Sequence, residues 1–355
     1  MGHRAGDNTQ VLALGEALCW PFEVKRFVYA RWEVLVNWPF SSTLLGVDKR
    51  QSSALGPPWP DLVITAGRRN EPIARWIRKR ADRRVRLVHV GRPWARPERF
   101  DLVVTTPQYR LPSVPHVLQN EAPLHRVTSE RLAKEAAIWQ PRFAHLRRPL
   151  IAVLAGGDSG PYPFDAASGR RLGHAASAMA RELGGSLLVT TSARTLPRTA
   201  DALFAAIDVP ALKFRWTPRA ADNPYFGFLA LADRIIATGD SVSMMAEACA
   251  TGRPVYLYDT GEGSTSMRDA HVHIGFGRLS RMRDRTHRKA VIYRLTMRYG
   301  PSRLTRDIRI VQRRLVDSGR AAWLGAGHPA GAPPPLRDLE RAVQAVRALF
   351  DRGGR

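Results

Sequence analysis

The sequence has few cysteines and no long apolar run, and each shortage excludes a class of protein. Its two cysteines, Cys19 and Cys249, both lie within apolar helical patterns, so they support neither a disulfide framework nor a cysteine-based zinc site. No stretch approaches the roughly 18 to 20 apolar residues of a membrane-spanning helix, and the N-terminal "MGHRAGDNTQ" lacks the apolar core of a signal peptide. We therefore expect a cytoplasmic protein that is soluble or lies peripherally on the inner face of the membrane.

Lysine is also scarce, because only six of the 55 basic residues are lysine, and the formal net charge is +24. Codon composition in a GC-rich genome also produces such an arginine bias, so the position of the charge is more informative than its size. Residues 278–320 carry 14 basic side chains against three acids. In this segment four apolar residues share one helical face and three arginines lie off it, which predicts an amphipathic basic helix. The apolar residues are Leu304, Ile308, Val311 and Leu315, and the arginines are Arg306, Arg309 and Arg313.

A basic helix of this kind suits an anionic partner. Anionic lipid headgroups or phosphorylated ligands would dock on residues 278–320. Nucleic acid ranks below lipid, because no zinc-finger, RRM or homeodomain signature accompanies the charge.

Apolar runs of strand length alternate with amphipathic segments of helix length, which predicts an α/β protein built around parallel sheets. Two series of strands are indicated. The first comprises 23–29, 61–67, 85–91 and 100–106, with helices at about 8–19 and 70–81; the second comprises 150–157, 186–192, 211–216, 233–239 and 253–259.

These two series predict two Rossmann-like domains. We expect an N-terminal acceptor domain (1–127), a linker helix (128–148) capped by Thr128 or Ser129, and a C-terminal nucleotide-sugar domain with a basic extension (149–325). A Gly/Ala/Pro linker (326–335) and a terminal helix (336–355) complete the chain.

Ligands of open α/β sheets bind outside the carboxyl ends of the strands, so the loops there are the candidate sites. Three loops of the second series stand out. In the first, Gly156 and Gly157 would let the backbone approach a ligand closely. The second offers Ser192 and Arg194, which suit a diphosphate, beside Thr195; the third offers Asn223 and Tyr225, where a base could stack. A tight turn, a solvated cap and a Pro-Tyr turn packed on the core are the respective alternatives.

The fourth loop, "TGDSVSMMAEACATGRPVYLYD" (238–259), opens a helix rich in glycine, acid and hydroxyl residues. Such an opening presents free N–H groups and the positive end of the helix dipole to an anion such as phosphate. We expect Gly239, Asp240, Ser241 and Ser243 at this anion. Glu247 lies one turn beyond Ser243, and its carboxylate suits two ribose hydroxyls. A capped helix with Ser243 and Glu247 on a solvated face is the alternative.

In the first domain, "GHRAGDNTQ" places four polar residues before or within the first turn of a helix: His3, Asp7, Asn8 and Gln10. His3 or Asp7 could act as a catalytic base toward an acceptor hydroxyl, whereas an N-cap role for Asp7 is the alternative. Asn8 and Gln10 could bind the acceptor. So could further residues after later strands: Arg68, Arg69, Asn70, Gln108 and Tyr109.

Four segments together resemble a known family: "GDNTQVLALGEAL", "LIAVLAGG", "TTSARTLP" and "NPYFGFLALADRIIATGDSVSMMAEACATGRPVY". They resemble bacterial relatives of the plant elongated-mitochondria (mitochondrial fission) family, relatives that are often labelled predicted nucleoside-diphosphate-sugar epimerases. The resemblance runs from about residue 2 to 260. It implies a GT-B-like pair of Rossmann-like domains with a cleft between them.

More distantly, Ser243 and Glu247 before "ATGRPVY" resemble the donor site of glycosyltransferases such as the GlcNAc transferase of peptidoglycan synthesis. That resemblance implies that Gly239, Ser241 and Ser243 contact the diphosphate and that Glu247 contacts the ribose. The family normally has a strand before its Gly-Asp-Asn motif, and only five residues precede Gly6 here. We therefore expect that the true start lies upstream, and we transfer no role in organelle fission.

Three functions are compatible with these features. The first is a metal-independent glycosyltransferase with a nucleotide-sugar donor and an acceptor that is lipid-linked or envelope-associated; the helix dipole and Arg194 would stabilise the leaving diphosphate. No DxD-type metal motif is evident, and no cofactor is expected. The second is a nucleoside-diphosphate-sugar 2-epimerase, for which candidate histidines are His3, His89, His116 and His125. The third is a non-catalytic, membrane-associated scaffold.

Overall fold

A computed structural model describes residues 1–2, 5–30, 42–218, 220, 222–262, 265–268, 285–301, 305–329 and 334–351, with backbone alone for 285–289. His3 and Leu304, which the sequence analysis selects, lie outside these residues. The chain forms two compact units: unit 1 is Met1–Arg126 with Leu336–Arg355, and unit 2 is Val127–Pro335. Each unit contains one parallel sheet covered by helices, so the predicted α/β class is confirmed.

Unit 1 contains four parallel strands in chain order: β1 (Leu62–Ala66), β2 (Arg86–Val90), β3 (Leu102–Thr105) and β4 (Val117–Gln119). Both faces of a parallel sheet are buried, so these strands are nearly continuous apolar runs. Helices α1 (Ala5–Ala17) and α10 (Asp338–Asp351) cover one face, where Leu14 and Val346 join one apolar cluster. Helix α2 (Glu71–Arg80) covers the other face with Ile73 and Ile77.

Unit 2 contains a six-stranded parallel sheet in the order β10-β9-β8-β5-β6-β7. Its strands are β5 (Leu150–Leu154), β6 (Ser186–Thr190), β7 (Ala211–Phe214), β8 (Arg234–Thr238), β9 (Val255–Tyr258) and β10 (Ala322–Trp323). Its helices are α3 (Ser129–Phe143), α4 (Ala166–Leu183), α5 (Pro197–Ala205), α6 (Tyr225–Leu231), α7 (Val242–Cys249), α8 (Arg285–Tyr299) and α9 (Arg309–Asp317).

The alternation of side chains along β5 separates the two cores of unit 2. Leu150, Ala152 and Leu154 join a cluster with residues of α3, α6, α7 and α9. Ile151 and Val153 join a second cluster with α4 and α5 on the opposite face. Polar caps begin two of the covering helices. Their oxygens accept backbone N–H groups, from Arg131 to Thr128 Oγ1 (3.1 Å) in α3 and from Ser168 to Asp165 Oδ1 (2.8 Å) in α4.

The prediction of a strand over residues 23–29 is wrong. This segment makes a single antiparallel bridge, between Tyr29 and Val47, and belongs to no sheet. Two of its N–H groups bind serine hydroxyls of a later loop instead of a neighbouring strand: Arg26 donates to Ser53 and Val28 donates to Ser52, each at 2.9 Å. Two strands, β4 and β10, are not predicted from the sequence. They are three and two residues long and therefore too short to show a periodic pattern.

The basic helix differs from its prediction in which arginines face outward. Ile308, Val311 and Leu315 are buried against the sheet, as the apolar pattern predicts. Arg309 is also buried, with 6% of its surface exposed, because the Asp307 carboxylate accepts its Nε and Nη2 groups at 2.8 Å each. Arg306 donates to the Ser159 hydroxyl at 2.8 Å. Arg306 and Arg309, which the sequence predicts to face lipid, therefore bind this protein's own groups.

Among the described residues, no helix combines the length and the apolar character that crossing a bilayer requires.

We expect Asp307→Asn to lower the free energy of unfolding by about 3–5 kcal/mol, because it removes the carboxylate charge that pairs with the buried Arg309 guanidinium. Urea denaturation measures this change. The matched control is Asp201→Asn, which removes the carboxylate of an exposed ion pair with Arg215 and should change stability little. Equal losses in the two variants would contradict this role for Asp307.

Candidate functional site

Strand β5 is the point in unit 2 at which the order of the sheet reverses. The chain leaves β5 toward β6 and β7 on one side, and later returns to β8, which pairs with β5 on its other side. Loops that follow such strands diverge at the carboxyl edge of the sheet and leave the crevice in which ligands of open α/β sheets bind. The predicted Gly156–Gly157 and Gly239–Ser241 stretches are the two loops that flank this crevice.

The Gly156–Gly157 turn is saturated by hydrogen bonds from its own unit. The Gly156 N–H donates to Thr238 Oγ1 at 2.8 Å, and the Gly157 N–H donates to Asp240 Oδ2 at 2.9 Å. The Gly156 carbonyl accepts the hydroxyl of Ser192 at 2.9 Å. These three bonds join the loops that follow β5, β6 and β8.

Protein atoms occupy the space that the two glycines leave open. A Cβ atom on Gly156 would collide with the Asp240 carboxylate, and one on Gly157 would collide with the backbone carbonyl of Arg194. The sequence predicts that a ligand approaches these two glycines closely, but atoms of neighbouring loops lie there instead. A ligand in this crevice would therefore lie over the Gly156–Gly157 turn, whose backbone N–H groups already donate to protein atoms.

Arg194 lies in the loop after β6 and binds the Gly156–Gly157 turn. Its Nη2 lies 2.9 Å from Asp240 Oδ2, and its Nη1 donates to the carbonyls of Gly157 (3.2 Å) and Asp158 (3.0 Å). The Asp240 side chain is fully buried, whereas 41% of the Arg194 side chain is exposed. We predict from the sequence that Arg194 binds a diphosphate, but Asp240 neutralises much of the positive charge of Arg194. Part of the Arg194 side chain still faces solvent.

Helix α7 begins at the crevice. Ser241 is its N-cap residue, and the Ser241 side chain makes no capping hydrogen bond. Ser243 lies in the first turn and is partly exposed, while Met245 and Ala248 are buried in the core. The preceding Gly239 is fixed through its carbonyl, which accepts Gln312 Nε2 from α9 at 2.7 Å. The geometry leaves the positive end of α7 directed at the crevice with no serine cap across it.

Glu247 and Tyr225, which the sequence assigns separately to a nucleotide, are in direct contact. The Tyr225 hydroxyl donates to Glu247 Oε2. Only 7% of Glu247 is exposed, so it does not lie on the solvated face that the alternative interpretation requires. Burial raises the pKa of Glu247 to about 7, against the lowering effects of the Tyr225 hydrogen bond and the Arg131 charge.

Two further residues shape this pair. Asn223 Oδ1 accepts the Tyr225 backbone N–H at 3.0 Å, which fixes the start of α6. Arg131 of α3 stacks on Phe226 with its guanidinium carbon 3.6 Å from the ring centroid. The proximity of Arg131 to Glu247 is not predicted from the sequence, because α3 lies far from α7 along the chain and no local pattern links the two helices.

The candidate residues of unit 1 divide into two groups. Asp7, Asn8, Arg68, Arg69 and Asn70 line one pocket at the carboxyl end of β1. Asp7 lies in the first turn of α1, which begins at Ala5, so it is not the N-cap residue of that helix.

The other described candidates of unit 1 do not line this pocket. Gln10 donates to the Gly6 carbonyl of its own helix at 3.4 Å. Gln108 is buried after β3 and donates to Thr106 Oγ1 at 3.1 Å. His89 is fully buried beside Phe100, and burial lowers its pKa to about 4, so its imidazole stays neutral.

Within the described ranges, no group of three or more His, Cys, Asp or Glu residues is placed to hold a metal ion.

The raised pKa of Glu247 predicts a pH dependence of stability. The folded protein holds a proton that the unfolded chain releases between about pH 4.5 and pH 7. The Glu247 contribution is therefore complete below about pH 4.5, and about 3 kcal/mol of unfolding free energy is lost as pH rises to 7. Glu247→Gln should reduce this slope in denaturant titrations, whereas the exposed control Glu182→Gln should leave it unchanged; Glu71 and Asp338, whose pKa values burial also raises, keep a residual slope. Equal slopes in Glu247→Gln and the wild type would contradict the assignment.

The comparisons with known proteins agree with the motifs. The family model for mitochondrial fission ELM1 matches residues 5–295. The chain is 30% identical over 220 residues to the mitochondrial fission protein ELM1 of Arabidopsis thaliana, covering 56% of this chain and 51% of that protein. It is 22% identical over 232 residues to an uncharacterized protein of Rickettsia prowazekii, covering 56% of this chain and 64% of that protein. The chain thus spans about half to two thirds of the length of these curated relatives.

Among solved structures, the chain is similar to a Staphylococcus aureus MnaA structure with UDP (TM-score 0.44, 12% identity, 99% of this chain and 95% of that chain covered). It is also similar to Acinetobacter baumannii MurG (TM-score 0.39, 11% identity, 98% of each chain covered). The family model covers most of the chain, and the chain belongs to the mitochondrial fission ELM1 family.

Proposed function

We propose that the protein is a GT-B-like glycosyltransferase whose unit 2 binds a nucleoside-diphosphate-sugar donor. The observation that carries this proposal is the buried Glu247 carboxyl, one turn inside a helix that begins at the reversal point of the sheet. A carboxylate at that place accepts two hydrogen bonds from the vicinal hydroxyls of a ribose. The diphosphate would then lie toward the first turn of α7.

The first turn of α7 supplies the positive field for the diphosphate. Its backbone N–H groups and the hydroxyls of Ser241 and Ser243 would bind the phosphate oxygens, and the helix dipole would stabilise charge on the leaving group. Arg194 contributes as a brace, because its guanidinium already binds Asp240 and the carbonyls of the Gly156–Gly157 turn. Leaving-group stabilisation of this kind needs no metal ion.

Tyr225 gives the ribose site a directional element. Its hydroxyl donates to Glu247 Oε2, and Oε1 together with the second lone pair of Oε2 would accept the two ribose hydroxyls. The Tyr225 ring follows the exposed Asn223 at the start of α6, so its face is the surface on which we propose that the base stacks. In this proposal, unit 1 binds the acceptor.

We expect Glu247→Ala to weaken binding of the preferred nucleotide at least about tenfold, because a hydrogen bond to a charged group contributes about 1.5–3 kcal/mol. Tyr225→Phe should weaken it less, since the carboxylate stays in place. Calorimetry with UDP-, GDP-, ADP- and CMP-linked sugars and the free nucleotides measures both effects, with Glu182→Ala as the matched control.

Unchanged nucleotide affinity in Glu247→Ala would refute the donor site. A well-folded protein that binds no member of the panel would instead favour the membrane-associated scaffold. A nucleotide sugar that binds and changes its configuration without an acceptor would favour the 2-epimerase.

A peripheral contact with an anionic membrane is a separate proposal, and it rests on the exposed arginines of α9. Arg313 and Arg314 are both exposed on this helix. We expect Arg313→Ala with Arg314→Ala to reduce flotation with anionic vesicles, at about 1 kcal/mol of binding free energy per arginine. Arg84→Ala with Arg253→Ala, two exposed arginines elsewhere, is the charge-matched control. Equal flotation of the two double variants would contradict the proposal.

A further inference from the structure

A pocket in unit 1, at the carboxyl end of β1, concentrates charge that the donor site of unit 2 does not use. Its polar lining residues are Asp7, Asn8, Tyr29, Arg68, Arg69 and Asn70; we call it the β1 pocket. It lies where the loop between β1 and α2 meets the first turn of α1. This is the edge of a parallel sheet at which ligands bind.

Hydrogen bonds hold the walls of the β1 pocket. Asn70 Nδ2 donates to the Ala66 carbonyl at 2.7 Å, and Asn70 Oδ1 accepts the hydroxyl of Tyr29. Asn8 Nδ2 donates to the Gly2 carbonyl at 2.8 Å. These side chains are committed to the walls, so the pocket is ordered before a ligand arrives.

Gly67 is required at the floor of the pocket. Its φ of +76° lies in the left-handed region, and a Cβ atom there would come within 2.9 Å of Asp7 Oδ2. Any other residue would be strained and would push the Asp7 carboxylate out of the pocket. The loop thereby keeps this acid beside two arginines.

Arg68 and Arg69 are each positioned by an aromatic ring. The guanidinium carbon of Arg68 lies 5.5 Å from the Trp94 ring centroid, and that of Arg69 lies 5.7 Å from the Tyr29 ring centroid. A guanidinium is planar and carries five N–H donors, so it can bind a planar or tetrahedral oxyanion in addition to its other contacts. Two such groups on consecutive residues suit the two negative charges of a phosphate monoester.

The start of α2 adds to this positive field. Asn70 is the N-cap residue of α2, and its side chain makes no capping bond because it binds Ala66 and Tyr29 instead. The positive end of a ten-residue helix therefore opens beside the arginines without an Asn cap. The nearby Glu71 carboxylate is turned away, since it accepts the N–H groups of Trp94 and Ala95.

Asp7 determines which phosphate compounds fit. A carboxylate beside the arginines repels a bare phosphate, whereas it accepts a hydrogen bond from a hydroxyl. We propose that the β1 pocket binds the phosphate group of a hydroxyl-bearing phosphate ester, with Arg68 and Arg69 on the phosphate and Asp7 on the hydroxyl. Both a soluble ester and a lipid headgroup carry this chemistry.

The test compares inorganic phosphate with glycerol 3-phosphate by calorimetry on the full chain. The wild type should bind glycerol 3-phosphate more tightly than inorganic phosphate. Arg68→Ala with Arg69→Ala should weaken the ester at least about tenfold, because charge-assisted hydrogen bonds are lost. Arg84→Ala, an exposed arginine of the same unit without a place in the pocket, should change nothing.

Two further variants keep the test informative if the double alanine variant does not fold. Arg68→Lys with Arg69→Lys retains the charge and loses the planar fork, so binding should weaken by less than in the alanine variant. Asp7→Asn should tighten inorganic phosphate and reduce the preference for the ester. Failure of the ester to bind, equal affinity in the lysine variant and the wild type, or an unchanged preference in Asp7→Asn would overturn the proposal.

Vesicles that contain phosphatidic acid identify the source of the phosphate. Vesicle binding that glycerol 3-phosphate displaces, and that the pocket variants lose, assigns a lipid headgroup. Ester binding without vesicle binding assigns a soluble compound. The donor site is scored separately, because Glu247→Ala should keep ester binding and the Arg68 and Arg69 variants should keep nucleotide binding. A failure of this proposal is thus distinguishable from a failure of the donor site.

Discussion

The buried carboxylate of Asp240 is the interaction on which the candidate site of unit 2 depends. One of its oxygens serves both the Gly157 N–H and the Arg194 guanidinium, so the loops after β5, β6 and β8 meet at a single atom. A buried charge without its partner is strongly destabilising, so the Arg194 guanidinium and the Asp240 carboxylate depend on each other. Because these loops bind one another, the groups left to a ligand are the opening of α7 and the carboxyl of Glu247.

Asp240 and Glu247 show how environment separates two acids of one segment. Asp240 faces a guanidinium, and its charge is used within the protein. Glu247 faces the phenol of Tyr225, and burial raises its pKa to about 7. A buried carboxyl whose pKa lies near neutrality is the kind of group that functional sites contain. A bound ribose would supply the hydrogen-bond donors that favour the ionised form of Glu247.

Local pattern predicts much of the fold and the place of the site, but not its bonds. Apolar runs such as "LIAVL" identify strands, and parallel strands bring their following loops to one edge, so Gly156 and Asp240 are found from the sequence. The pairing of Arg194 with Asp240 joins residues on different βα units, and no periodicity encodes it. Arg309 is misplaced because helical patterns assign charge to the outside, whereas Asp307, two residues earlier, compensates that charge in the core.

The return of α10 to unit 1 has a consequence for how the chain folds. Both carboxylate oxygens of Asp338 accept N–H groups, from Glu121 and Ala122, at 2.9 Å each, and Val346 packs in the cluster that contains Leu14. Unit 2 is therefore an insertion between two parts of unit 1. During synthesis, unit 2 has all of its residues before unit 1 does, and until α10 is made that face of the first sheet has α1 without α10. Unit 2 can therefore complete its fold before unit 1 does.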